Sequence, residues 1–147
     1  MLERDVIQSI GFRNVEEAGA VTGFQFKVRL PYYRGIFLSQ LRPGTLFVDG
    51  ERFEREEIIW NINGKDFTYE EMKTDMDTHW SVTKPAVIKV KKKDGLAQGY
   101  HDLTLGFCFT SSYMPPVMQD ALDPDCESKI SMPEFGHHVN QRRLLIV

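Results

Sequence analysis

The stretch Ile58-Ile59-Trp60-Asn61-Ile62-Asn63-Gly64-Lys65-Asp66-Phe67-Thr68-Tyr69 decides the fold class. An apolar run with period-two character ends at Asn63-Gly64, and Phe67 to Tyr69 face it from the other side. Asx-Gly supplies the positive φ angles that a two-residue hairpin turn demands. Asp49-Gly50, between Leu46–Val48 and Arg52–Phe53, and Asp94-Gly95, after Ala86–Lys93, repeat the pattern. Each pair therefore reads as a β-hairpin, and the chain as a small antiparallel β protein.

Working outward, Phe24, Phe26, Val28 and Leu30 alternate with Gln25, Lys27 and Arg29, so one face packs inward and the other meets solvent or a partner. Pro31 marks an edge or a strand end. Leu103, Leu105, Phe107 and Phe109 form a second clean alternation. Ser9 to Val15 predicts a first short strand, and Gly19 to Gly23 a turn-like gap. Ile36 to Leu41 is an apolar run closed by Arg42-Pro43-Gly44. Glu70 to Lys84 predicts a loop or one short helix. Some eight closely spaced strands indicate an all-β, single-domain antiparallel sandwich, jelly-roll-like, with its core over residues 1–112.

After Ser112 the texture changes. Tyr113-Met114-Pro115-Pro116-Val117-Met118 is apolar and proline-broken, Asp120 to Ser131 is acidic, and the chain ends in Leu144-Leu145-Ile146-Val147. Residues 113–147 therefore predict a long irregular tail. It is too apolar for comfortable disorder, so it packs on the sandwich or on another chain.

At 147 residues the chain fits one domain with a proper core. Its 41% hydrophobic and 27% charged content are globular values. A net charge of −3 gives no basic excess for nucleic acid. Lys89 and Lys91-Lys92-Lys93 read as a solvated strand end. No apolar stretch reaches the length of a membrane span, and Met1 to Val6 lacks the apolar segment of a secretory signal. Cys108 and Cys126 then read as free thiols, and the compartment as cytoplasmic.

Catalytic constellations are missing from the pattern. His79 and His101 are isolated, and the neighbours His137-His138 point to opposite faces of a strand, so one metal rarely takes both. There is no His-x-His spacing of the cupin kind. Asp75, Asp77 and His79 would share a face if they lay on a strand, but they read as a solvated acidic loop with a helix or turn cap. The Gly and closing Glu of an EF-hand are absent there. No catalytic, cofactor-binding or metal-ligating residue is assigned. Tyr32-Tyr33-Arg34-Gly35 is different, since Tyr and Arg dominate interface hot spots. A packed tyrosine corner is the alternative. Met114 to Met118 is an adaptable docking surface or a cover for the sandwich end.

Thr22 through Gly35, Pro43-Gly44-Thr45 through Asp49-Gly50, and Trp60-Asn61-Ile62-Asn63-Gly64 together resemble the β subunit of bacterial C-glycoside deglycosidases. The likeness spans most of the chain, from Phe12 to the Met-Pro-Pro stretch, and rests on texture rather than a catalytic motif. It implies a small sandwich subunit that assembles with a larger (β/α)-barrel α subunit holding a divalent metal, manganese. The implied complex is a carbon–carbon lyase acting on 3-oxo-C-glucosides of aromatic aglycones such as flavonoids. The 3-keto group acidifies the C2 proton, a base removes it, and the aryl carbon leaves as the metal stabilises the enediolate. Catalysis would reside in the other subunit, so no catalytic residue carries over.

Under this reading Tyr32, Tyr33, Arg34, Met114, Pro115, Pro116, Met118, His137 and His138 are expected at the partner interface or the active-site mouth. A stand-alone carbohydrate- or ligand-binding sandwich is the alternative. An independent cupin-type enzyme is a third, disfavoured by the missing His-x-His.

Overall fold

The structure, a computed structural model, describes residues 2–32, 34–109 and 137–146, without the side chains of Cys108, His137 and His138. In chain order the strands are β1 (Ile7–Glu17), β2 (Ala20–Val28), β3 (Ile36–Phe37), β4 (Leu41–Val48), β5 (Glu51–Phe53), β6 (Ile58–Ile62), β7 (Lys65–Phe67), β8 (His79–Trp80), β9 (Ala86–Lys91), β10 (Gly99–Phe109) and β11 (His137–Ile146). An α-helix, α1 (Tyr69–Thr74), follows β7. The sheets are antiparallel: β1-β2-β9-β6-β7, β11-β10-β4-β5, and the small pair β3-β8.

The two larger sheets share one core, as the alternation predicts. Phe24, Phe26 and Val28 on β2 and Leu103, Leu105 and Phe107 on β10 are fully buried. Rings from opposite sheets meet edge to face, with Phe24 5.7 Å from Phe53 and Trp60 5.8 Å from Phe107. Edge-on contact aligns the positive rim of one ring with the negative face of the next.

Asp49, Asn63 and Asp94 all take positive φ, at 51°, 57° and 64°. The first two close the hairpins β4–β5 and β6–β7, pairing Val48 with Glu51 and Ile62 with Lys65. The third is a correction. Asp94-Gly95 joins β9 to β10, which lie in different sheets, so it turns the chain across the sandwich. Asn14 holds that crossing: its side chain donates to the Leu96 carbonyl and accepts from the Leu96 amide, both at 2.8 Å.

A further hairpin sits where the sequence suggests only a gap. Ala18 and Gly19 take φ of 51° and 80°, Glu17 pairs with Ala20, and β2 begins at once. Arg42-Pro43-Gly44 does not close a segment either. β4 runs through it, with Pro43 opposite Phe107 at a register shift. A bulge is where a strand tolerates a residue without an amide hydrogen.

The span 113–147 needs correcting at its end. Residues 137–146 form β11, paired with β10 from Gly99↔Ile146 to Cys108↔His137. Leu144 and Ile146 point into the core while Leu145 is exposed, which explains the apolar terminus. Residues 113–136 lie outside the described residues.

Candidate functional site

Leu30, buried just beyond β2, is followed by Pro31, and the chain swings through Tyr32 and Arg34 into β3. β3 pairs with β8 through Ile36↔Trp80 and Phe37↔His79. Gly35 permits the approach: a Cβ there would run into the His79 ring and lie 2.6 Å from the Trp80 carbonyl. The pair is anchored on both sides. Leu38 N donates to Thr78 O at 3.0 Å and Ser39 N to Asp75 O at 2.8 Å. Asn63, in the β6–β7 turn, donates its side-chain amide to His79 O at 2.9 Å.

A cavity of about 390 Å³ opens at this corner, lined by Tyr32, Arg34, Gly35, Phe37, Gln40 and His79 among others. Phe37 and His79 meet edge to face at 5.4 Å. Gln40 is buried, and its Oε1 accepts from the Phe37 amide at 2.9 Å. Tyr32 is half-buried against the core, its ring 5.0 Å from Phe109. The packed-corner reading thus describes Tyr32, while Arg34 is exposed.

Of the residues read from sequence, Tyr32 and Arg34 come together here. His137 and His138 are in β11, opposite Cys108 and Phe107. Their register places them at the Phe109 end of β10, which Tyr32 also touches. Tyr33, Met114, Pro115, Pro116 and Met118 lie outside the described residues. Sequence reasoning missed Phe37, Gln40 and His79, whose only signal was a short apolar run and an isolated histidine.

The Asp75-Asp77-His79 spacing resolves as a turn cap. Asp75 Oδ1 accepts from the Asp77 and Thr78 amides at 2.9 and 2.8 Å, and Oδ2 from the Thr78 hydroxyl at 2.8 Å. Burial opposes the charge of Asp75, but the Thr78 amide and hydroxyl and the Asp77 amide outweigh it, and the carboxyl stays below its ordinary 3.8. Among the described residues no group of three or more His, Cys, Asp or Glu could hold a metal ion. No helix of the described residues is long and apolar enough to cross a membrane.

A frame of aromatic and cationic groups, without an acid–base pair inside it, is what a binding surface offers. The model of the C-glycoside deglycosidase beta subunit family matches residues 2–113. A C-glycoside deglycosidase beta subunit of Eubacterium cellulosolvens is 68% identical over 147 residues, covering 99% of this chain and 100% of that one. Another from Microbacterium trichothecenolyticum is 33% identical over 88 residues, 60% of this chain and 66% of that one. A 3'-dehydrocarminate deglycosidase beta subunit of a Microbacterium species is 26% identical over 96 residues, 64% of this chain and 70% of that one. With a family match over most of its length and a relative aligned end to end, the chain belongs to the C-glycoside deglycosidase beta subunit family.

Proposed function

We propose that this chain is the small, non-catalytic subunit of a heteromeric carbon–carbon lyase that removes the sugar from 3-oxo-C-glucosides of aromatic aglycones. The observation that carries the reading is the 68% identity, over full length, to a protein named C-glycoside deglycosidase beta subunit. The partner is a larger (β/α)-barrel α subunit, and the pair works in the cytoplasm. A base of the partner takes the C2 proton, which the neighbouring 3-keto group acidifies, and the aryl carbon then leaves with the electron pair. The divalent metal, manganese, is assigned to the partner. Tyr32, Tyr33, Arg34, Met114, Pro115, Pro116, Met118, His137 and His138 are assigned to the partner interface or the mouth of its active site.

Co-expression with a barrel subunit encoded beside it, purification by a tag on this chain alone, and assay on a 3-oxo-C-glucoside with manganese test the proposal. Co-purification and aglycone release by the pair, absent for either chain alone, are expected. A monodisperse lone chain that captures no barrel subunit and gives no turnover would overturn it.

A further inference from the structure

We infer that the outer face of the sheet β1-β2-β9-β6-β7 docks on an acidic surface of the partner subunit, with Arg13, Lys27 and Lys91 as its charged contacts; this rests on the subunit reading above. Strand register builds the face. Phe24, Phe26 and Val28 on β2, Ala86, Ile88 and Val90 on β9, and Ile58, Trp60 and Ile62 on β6 are buried in the core. The residues between them therefore point outward. Arg13 stands opposite Gln25, Gln25 opposite Lys89, and Lys89 opposite Ile59. Lys27 faces Val87, and Lys91 faces Gly23. By strand spacing the backbone positions of Arg13, Lys27 and Lys91 lie within about 15 Å of one another, inside the footprint of a standard interface of about 800 Å² per partner.

From sequence Lys89 and Lys91 read as a solvated strand end, where lysines guard an edge. The structure places β9 at the centre of its sheet, between β2 and β6, so no edge is there to guard. Lys89 pairs with Asp66 at 3.0 Å. Arg13, Lys27 and Lys91 have no ion pair or hydrogen bond among the described residues. The Lys27 stem is also held, because it crosses Gly11 of β1, where a Cβ would stand 2.9 Å from Cε. Cations gathered without counter-ions repel one another, and an acidic partner relieves that repulsion. Val15, Ile59 and Val87, half-buried beside these charges, give the face the mixed character of a protein interface. Asp66 and Glu17 line one shallow groove with Lys89 and Lys91 and would repel a phosphate chain, so a protein surface fits better than nucleic acid. From Lys27, β2 leads into the Tyr32–Arg34 corner assigned to the partner, so one surface of the partner can cover both.

The test uses the purified complex, dissociated by dilution and by salt. Lys27→Met with Lys91→Met removes both charges and keeps the stems, and Lys27→Glu with Lys91→Glu reverses them. Kd is expected to rise about tenfold for the first pair and about a hundredfold for the second, chiefly through slower association. The Met pair carries the test if the Glu pair does not fold. Wild-type affinity should fall as salt rises, and that of the Met pair less steeply. Lys93→Glu, just past the end of β9, should leave Kd within about twofold. As a readout independent of any variant, a carbodiimide added to the wild-type complex should couple Lys27 or Lys91 to an Asp or Glu of the partner subunit, seen by mass spectrometry. Unchanged Kd and salt dependence in folded variants would overturn the inference. So would binding of the lone chain to DNA at physiological salt that the Met pair abolishes, since the face would then belong to a polyanion. A wild-type chain that captures no partner subunit would instead refute the subunit reading.

Discussion

The Nδ1 atom of His101, on β10, lies 2.6 Å from Oδ2 of Asp49, in the turn between β4 and β5. The other ring nitrogen, Nε2, lies 2.6 Å from the Ala97 carbonyl. Both nitrogens face acceptors, and only an imidazolium donates from both. Asp49 Oδ1 in turn accepts from the Asp102 amide at 2.8 Å, and Asp102 is paired with Arg143. The ring tightens a hairpin turn against the neighbouring strand and touches Phe12 of the other sheet at 6.1 Å.

That arrangement makes stability depend on pH. Burial is the largest influence on His101 and opposes its charge, but the Ala97 carbonyl and then Asp49 outweigh it, so its pKa is raised above 6.5. A raised folded value means the contribution is fully present below the unfolded value and is lost as pH climbs through the folded one. Melting temperature should therefore fall as pH rises above 6.5. His101→Gln should flatten that slope, and an identical slope in the variant would contradict the assignment. Asp49 acts at the acid end. The Asp102 amide and His101 hold its carboxyl below 3.8, so its contribution is lost only as pH falls through that lowered value.

Gly35→Ala is expected to destabilise the protein by about 1–3 kcal/mol, the usual cost of overpacking. The new methyl would push on the His79 ring and the Trp80 carbonyl. Urea denaturation measures this, and a midpoint matching wild type would show that β8 can yield. Gly50→Ala is not the equivalent control, because Gly50 sits at φ 86° and strain enters by the backbone instead.

Two fully buried tryptophans should respond differently to phenylalanine. Trp80 Nε1 donates to the Lys84 carbonyl at 2.9 Å, while Trp60 Nε1 is buried without a partner among the described residues. Both substitutions remove volume. Only Trp80→Phe also orphans a hydrogen-bond partner, whereas Trp60→Phe removes an unsatisfied donor whose burial costs about 1–3 kcal/mol. Trp80→Phe should be the more damaging of the two by calorimetry. The reverse order would mean that ring volume outweighs polar satisfaction here.

On β11, alternate residues should have opposite sensitivities. Arg142 donates to the Ile7 carbonyl at 2.8 Å and to Glu3 at 3.1 Å, binding β11 to β1 across the sandwich edge. Leu144 is buried while Leu145 is 45% exposed. Leu144→Ala is expected to cost about 2–5 kcal/mol and Leu145→Ala under about 0.5 kcal/mol. Arg142→Ala should speed amide exchange in β1 and β11, and Arg143→Ala, at an exposed pair with Asp102, should leave it alone. Equal effects at 144 and 145 would contradict the register of β11.

Short-range rules make much of this fold legible in the sequence. Alternation along Phe24–Leu30 and Leu103–Phe109 marks the strands whose one face is buried, because side chains on a strand point alternately to its two sides. Asx-Gly pairs mark the positive φ positions, since that backbone region is open to few residues. The candidate site is half legible. Tyr32 and Arg34 stand out by residue type, but Phe37 and His79 are 42 positions apart in the chain. Nothing local pairs them.

By itself, then, the sequence determined an antiparallel β protein, the positive-φ turns and the residues facing inward, all consequences of backbone sterics and period two. Tertiary structure decided the rest. Asp94-Gly95 closes no hairpin because the Asn14 side chain holds Leu96 and β10 finds its partners in the other sheet. The apolar terminus is a strand rather than an irregular packed tail because β10 offered an edge and the core had room for Leu144 and Ile146. The cavity exists because β8 returns beside β3, with Gly35 small enough to let His79 in. Each is a pairing between distant segments, set by which edges and faces remain to be covered once the local elements have formed.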